Sequence, residues 1–471
     1  MAQDAFISSL DRTSASMNEV ITINGKGFGS NPANLRVFFG GALATIVSVQ
    51  ETIIEAQVPA NATYDHVSVI NLSTGLHVTS PEKFLLSYSG EDFDLSLLGS
   101  QNQFPTTERG VFDFCSCDFD SNGSSDYVVT NNSTRSGVLG EFSIFTNSSS
   151  PGTINLSRQN ISLDEVAYTD CSDLNGDGLP DLVISEGGDQ SVRIYILENR
   201  TAGAAISFVN VLTLELPRQA DGTIRSIDRI ILQDLDENGK VDIIAANVSD
   251  NLIDIFENTS TGGTLSFNDT PIQIAIEEGL ETSGLDAQDL NNDGFEEIIL
   301  TPSGNPNIYI LPNSSDIGAI KFDDFIRLDQ TGNLTSVKAA DLNGDSFVDL
   351  ITVDGGDIGS VNDVDELHVF LNTTGTAGSS IQFERNGMFE VNGNPETLAF
   401  GDLNGDGKVD AAVTSRKASA GSGITLMINT TSTGNINFDV FEIPTPSSSR
   451  SIQFNDVDND GRPDILFTHS V

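Results

Sequence analysis

Tryptophan is absent and tyrosine occurs six times in this chain of 471 residues. The aromatic platforms that stack on sugar rings are therefore scarce. Cysteine is nearly missing too, with Cys115, Cys117 and Cys171 alone, so no dense disulfide framework exists. A β-protein of this size does not need one. The four histidines (His66, His77, His368, His469) are scattered without ligand spacing, which counts against a zinc centre and against a nucleophilic triad. No run approaches the roughly 20 apolar residues that cross a bilayer, so no membrane insertion is expected. The opening Met-Ala-Gln-Asp shows no leader pattern and reads as a processed or expressed start. Cations are few: 22 Lys and Arg face 68 Asp and Glu, a formal charge of −46. Such a field disfavours nucleic acid and anionic membranes as partners and attracts cations.

What is present is Gly, Ser, Thr, Asn and Asp in quantity, alongside 38% hydrophobic residues. That mixture favours short strands joined by tight turns, an all-β chain. Seven segments share the pattern Asp-x-Asp/Asn-x-Asp/Asn-Gly-x-x-Asp, starting at Asp118, Asp173, Asp234, Asp289, Asp341, Asp402 and Asp456. Their starts lie 55, 61, 55, 52, 61 and 54 residues apart. Each is followed by a β-branched run (YVVT, LVIS, IIAAN, IILT, LITV, AAVT, ILFT), and in the first six units by a third strand and, after a Gly/Ser/Thr turn, a fourth. Four antiparallel strands per unit of about 50 residues, seven times over, predict a seven-bladed β-propeller over 91–471. Cys117 and Cys171 precede equivalent loops of neighbouring units, and spacing alone leaves a bridge between them open. DFDLSLLGS, from Asp92 to Ser100, reads as a fourth strand that completes the final blade. The last unit stops at Val471 after its second strand, so either the natural chain is longer or another source supplies the third.

Residues 1–90 lack the loop. Their alternating strands VITING, LRVFFGG, TIVSV, IIEAQV, VSVINL and KFLLSY suit a small immunoglobulin-like β-sandwich. The run Gly25-Lys26-Gly27-Phe28-Gly29 precedes no helix pattern and reads as a turn between strands, not a phosphate cradle.

These residues resemble known families. ITINGKGFG, VFFGGALATIV, AQVPANATYDHVSVIN and SPEKFLLSY are similar to an IPT/TIG domain. Residues 91–471 resemble FG-GAP/VCBS repeats, the propeller of integrin α-subunits and of many secreted bacterial surface proteins. The FG and GAP signatures themselves are poorly matched, so integrin-like ligand binding does not carry over.

The loops themselves ask for calcium. Ca²⁺ takes six to eight hard oxygen ligands, and positions 1, 3, 5 and 9, with the carbonyl of position 7, offer them around one turn that a Gly at position 6 permits. The expected ligands are Asp118, Asp120, Asn122, Ser124 and Asp126 in the first loop, and Asp173, Asn175, Asp177, Leu179 and Asp181 in the second. The third has Asp234, Asp236, Asn238, Lys240 and Asp242, and the fourth has Asp289, Asn291, Asp293, Phe295 and Glu297. Asp341, Asn343, Asp345, Phe347 and Asp349 form the fifth, and Asp402, Asn404, Asp406, Lys408 and Asp410 the sixth. The seventh has Asp456, Asp458, Asp460, Arg462 and Asp464. The competing reading is a set of Asx-turns without metal. Glu297 departs in length, and Ser346 stands where the fifth loop should have Gly.

The turn after every complete third strand carries Asn-x-Ser/Thr, at Asn147, Asn199, Asn258, Asn313, Asn372 and Asn429. Asn there is either a turn residue or a glycosylation acceptor. No catalytic constellation emerges, so a non-enzymatic extracellular or cell-surface adhesion or scaffold protein with up to seven structural Ca²⁺ is expected. Its partner would be an extracellular protein or glycan, or other copies of itself. A glycan-binding or polysaccharide lyase component and a subunit of a surface polymer are the alternatives.

Overall fold

Alternating and β-branched runs bounded by Gly, Asn and Asp fold as strands throughout. The computed structural model describes residues 5–90, 93–99, 101–106, 110–132, 140–163, 166–186, 193–216, 227–247, 251–276, 281–303, 305–330, 332–355, 365–391, 393–416, 423–432 and 434–469. Among these the chain is all-β, and its helical turns are two short 3-10 segments, Pro32–Asn34 and Leu95–Leu97. No described helix is long and apolar enough to cross a membrane.

The first 86 residues make two sheets. Phe6–Leu10, Val20–Lys26, Ile53–Gln57 and Thr45–Gln50 form one, in that order across the sheet. Ser14–Ala15, Leu76–Leu86, Asp65–Asn71, Leu35–Phe39 and Ala42–Leu43 form the other. Ile21, Ile23 and Ile54 from the first meet Val37, Phe39, Val67, Val69 and Phe84 from the second in one shared core. Phe39 and Phe84 pack edge to face, with ring centroids 4.9 Å apart.

From Gly110 onward, six four-stranded antiparallel sheets and a two-stranded one follow in chain order. The first consists of Gly110–Cys117, Asp126–Asn132, Gly140–Asn147 and Leu156–Leu163. First strands of the others are Val166–Ser172, Ile227–Gln233, Glu281–Gln288, Leu334–Ala340, Pro395–Gly401 and Ser449–Asn455. Each first strand packs beside the next, and the seventh returns to the first. Tyr127 Oη donates to Asn455 Oδ1 at 3.0 Å across that closure, and Ser451 Oγ donates to Asp113 Oδ1 at 3.0 Å.

The second strands explain their own sequences. Asp181–Glu186 is buried at every position, because Leu182 and Ile184 face the first sheet while Val183 faces the third. A strand sandwiched on both faces has no solvent side, hence a continuous apolar run in place of alternation.

One expectation is corrected here. The described part of DFDLSLLGS is a 3-10 turn, Leu95–Leu97, and not a strand of the last sheet. Phe93 and Leu98 still pack against Phe441, Ile443, Ile465 and Phe467 of the last two sheets, so burial was read correctly and backbone pairing was not.

Cys117 and Cys171 form a disulfide, Cα to Cα 6.6 Å, between the first two sheets; Cys115 is free and buried. The 54 residues it spans give a chain-entropy contribution of about 4 kcal/mol. The C117A/C171A double variant should melt lower by scanning calorimetry. An unchanged midpoint would show the bridge to be energetically idle.

Candidate metal centres

Each loop starts where a first strand ends and closes where the second strand begins. Positions 1 and 9 therefore meet at the mouth of one hairpin. Asp173 Oδ1 accepts the Gly176 N–H at 2.8 Å and the Asp177 N–H at 3.2 Å, and its Oδ2 accepts the Gly178 N–H at 2.6 Å. Asp118, Asp234, Asp289, Asp341, Asp402 and Asp456 likewise each accept the N–H groups of positions 5 and 6 in their own loops. Position 6 turns left-handed, as Gly178 does with φ 90°. Ser346 adopts φ 71° in the fifth loop and still donates its N–H to Asp341 Oδ2 at 2.9 Å. An L-residue in this region costs roughly 1–2 kcal/mol.

Position 9 is held twice. Asp181 Oδ2 accepts the Leu174 N–H at 3.2 Å and Oδ1 the Asn199 N–H at 2.8 Å. Glu297 reproduces both contacts despite its extra methylene, with Leu290 N–H at 2.8 Å and Asn313 N–H at 3.3 Å.

Positions 1, 3 and 9 converge. Carboxylate oxygens of Asp118, Asp120 and Asp126 lie within 4.8 Å of one another, as do those of Asp234, Asp236 and Asp242, and of Asp456, Asp458 and Asp464. Asn175, Asn291, Asn343 and Asn404 take position 3 in the other four loops. Position 5 turns one oxygen onto its own loop: Asn122, Asp177, Asp293, Asp345, Asp406 and Asp460 each accept the N–H of position 7. Both carboxylate oxygens of Asp236, and the Oδ1 atoms of Asn238 and Asn291, are buried without a hydrogen-bond partner. Orphaned buried oxygens are costly, and an all-oxygen set of this kind fits a hard cation such as Ca²⁺.

Burial pushes the carboxyls upward. Asp173, Asp234, Asp349 and Asp456 rise to about 7, and Asp126 and Asp410 to about 8, through desolvation first and neighbouring acids in part.

The six asparagines after the third strands belong to this machinery. All are buried. Asn258 Nδ2 donates to Val241 O at 2.8 Å in its own loop and to Leu174 O at 2.9 Å in the preceding sheet's loop. Asn199, Asn313, Asn372 and Asn429 repeat this pairing. Asn147 does the same across the ring closure, to Ser125 O and Val457 O. They staple each loop to its neighbour, and their amide hydrogens are committed.

The N-terminal unit lies on these loops. Asp118 N–H donates to Gly41 O at 3.0 Å, His77 N–H to Gly239 O at 3.1 Å and Gly90 N–H to Gly405 O at 3.2 Å. Asn61 Nδ2 donates to Ser125 Oγ at 2.7 Å and Tyr88 Oη to Leu403 O at 2.5 Å. The Arg462 guanidinium stands 5.4 Å over the Tyr88 ring.

A second cluster lies further back on the first strands. Arg229 stands 4.9 Å over Tyr168, Tyr168 meets Phe112 edge-on at 4.9 Å, and Arg450 stands 5.1 Å over Phe112. Glu396 pairs with Arg416 at 3.4 Å and interacts with both stacked arginines. Arg229, Tyr168, Phe112, Arg450 and Glu396 each precede the first Asp of their own loop by five or six positions, about 17–20 Å along a strand. Nothing local in the sequence marks this cluster, because Phe112, Tyr168, Arg229, Glu396 and Arg450 are more than 50 residues apart; their shared offset from the repeated Asp is the available signal.

Residues 5–85 match the model of the IPT/TIG domain, and residues 234–300 and 289–352 match the FG-GAP-like repeat. The chain carries an IPT/TIG domain followed by FG-GAP-like repeats. The matched repeats span the third to fifth loops; the remaining four share their geometry. No curated protein matches the sequence. Among solved structures, the chain is similar to the periplasmic gluconolactonase PpgL of Pseudomonas aeruginosa, with 12% identity and a TM-score of 0.49 over 93% of this chain and 99% of that one. A putative 6-phosphogluconolactonase from Bacteroides fragilis gives 13% identity and 0.48 over 88% and 97%. The exotype rhamnogalacturonan lyase YesX gives 13% and 0.44 over 99% and 87%. The expectation of a non-enzymatic protein is corrected by these matches, which include a gluconolactonase, a putative 6-phosphogluconolactonase and a lyase.

Two outcomes are expected of the FG-GAP loops. Asn258→Ala leaves two buried carbonyls unpaired and should cost about 2–4 kcal/mol in urea unfolding; a change below about 0.5 kcal/mol would deny the staple. In the cation-free protein the raised carboxyls bind more protons folded than unfolded. Stability is then greatest below about pH 4, near the unfolded carboxylate value, and falls as pH rises through 7 to 8. Urea midpoints at pH 5 and pH 8 in chelator test this, and a higher midpoint at pH 8 would contradict it.

Proposed function

We propose that this chain is a calcium-stabilised extracellular binding protein: an immunoglobulin-like β-sandwich (1–90) seated on a seven-bladed propeller (91–471) with a Ca²⁺ in each loop. The observation that carries the reading is the convergence of buried and half-buried acids at positions 1, 3 and 9 in three of the loops, with orphaned oxygens at Asp236, Asn238 and Asn291. Twenty-two carboxylates occupy ligand positions, and their mutual repulsion needs compensation. Extracellular modules bind with Kd of roughly 10⁻⁴ M, so ~1 mM calcium adds about 1.4 kcal/mol per site, on the order of 10 kcal/mol for seven independent sites. Calcium at that level is found outside the cytosol.

Because the IPT/TIG domain covers the loop side of the ring, an adhesive or scaffolding partner is assigned to the opposite side. The partner is an extracellular protein or a glycan. The Arg229–Tyr168–Phe112–Arg450 stack favours the glycan reading, since guanidinium groups beside aromatic rings suit acidic saccharides. An array of polysaccharides and matrix proteins probed in calcium and in EDTA tests the choice. Calcium-dependent binding to acidic glycans, weakened at least tenfold by Arg229→Ala, is expected. Retention of proteins alone would favour the scaffold reading, and silence across the array would contradict both.

A further inference from the structure

Two residues break the rules of the repeat, in adjacent loops. Position 4 of every loop takes a left-handed backbone, and six of the seven carry Ser, Gly or Asn there: Ser121, Gly176, Asn292, Gly344, Gly405 and Asn459. The third loop carries Glu237, with φ 52°. Glutamate gains nothing locally from this conformation, which is costly for any residue with a Cβ and lacks the short local hydrogen bond that suits Asn. Position 8 is Ser, Pro or Val in six loops (Ser125, Pro180, Val241, Val348, Val409, Pro463). The fourth loop has Glu296 there, 4% exposed, with its Oε2 buried and without a hydrogen-bond partner.

The repeat geometry brings these two positions together. Position 4 reaches into the following loop: Asn292 Nδ2 donates to Ser346 O at 3.0 Å, and Asn459 Nδ2 donates to Ser124 Oγ at 2.9 Å. By the same register Glu237 reaches into the fourth loop. Burial first, and the Glu237 charge after it, push the Glu296 carboxyl upward. The Glu296 backbone is fixed in place, since its carbonyl accepts the Asn313 staple at 3.0 Å. Two acids thus sit in neighbouring loops among further acids, Glu237 strained in backbone and Glu296 with one buried oxygen unpaired. Where local rules fail twice at one contact, a bound group is the ordinary compensation.

We propose that a divalent cation, Ca²⁺ in the protein's own setting, is held between the third and fourth loops by the carboxylates of Glu237 and Glu296. This site is additional to the seven loop positions and rests on the reading that those loops bind calcium. Two carboxylates supply charge and up to four oxygens; main-chain oxygens and water complete the irregular shell that Ca²⁺ tolerates. The cation clamps two neighbouring loops, a link between sheets where the loop ions act within a sheet.

The repeat itself supplies the test variants. Glu237→Gly and Glu296→Val install residues that other loops carry at the same positions, and Glu296→Gln keeps the shape while removing the charge. Native mass spectrometry in calcium should find one ion fewer in the double variant, and in Glu296→Gln, than in the unaltered chain. Thermal melting should show the double variant more stable than the unaltered chain in chelator, with a smaller gain on adding calcium. Equal ion counts, with calcium gains that match, would overturn the inter-loop site while leaving the loop reading intact. A chain that retains no ion at all would overturn both.

Discussion

The structure turns on buried carboxylates that gather backbone N–H groups at the mouth of each hairpin. Asp173 holds three N–H groups within 3.2 Å, as Asp289, Asp341 and Asp402 do in their loops, and Asp181 closes the same turn from the other strand. These bonds give the loop its shape, but they leave negative charge concentrated where water is scarce. A proton or a cation would relieve that charge, and the oxygen-only donor set fits a hard divalent ion. The first domain is seated on those turns.

Loop, staple and neighbouring sheet form one unit. Asp242 Oδ1 accepts the N–H of Asn258 at 2.8 Å, while Asn258 Nδ2 reaches Leu174 O of the preceding loop. An ion that fixes Asp242 therefore also steadies the boundary between two sheets. The IPT/TIG domain is laid over the same turns, through Gly41, His77, Gly90, Asn61 and Tyr88. A change of shape in a loop would therefore be felt in the domain above it.

Much of this was legible in the sequence, for physical reasons. The loop pattern states its own turn, because position 6 demands a left-handed backbone and the acids must accept the N–H groups it exposes. Runs such as LVIS announced strands buried on both faces. The staple was visible only as Asn-x-Ser/Thr, since no local rule says that an Asn amide will span two sheets. DFDLSLLGS misled because Phe93 and Leu98 satisfy a burial pattern that a 3-10 turn meets as well as a strand. The Arg229–Tyr168–Phe112–Arg450 stack draws on four sheets, so only the closed ring reveals it. Glu237 and Glu296 are not legible as a site in the sequence, because they sit at loop positions that supply no ligand to their own loop.

The most direct test of the account is calorimetric melting of the intact chain in 1 mM calcium and in excess EDTA at neutral pH. Calcium-stabilised loops predict a large fall in the midpoint when the ion is removed, recovered on adding calcium back. The same midpoint under both conditions would mean that the carboxylates are neutralised by protons alone, and would contradict the account at its centre.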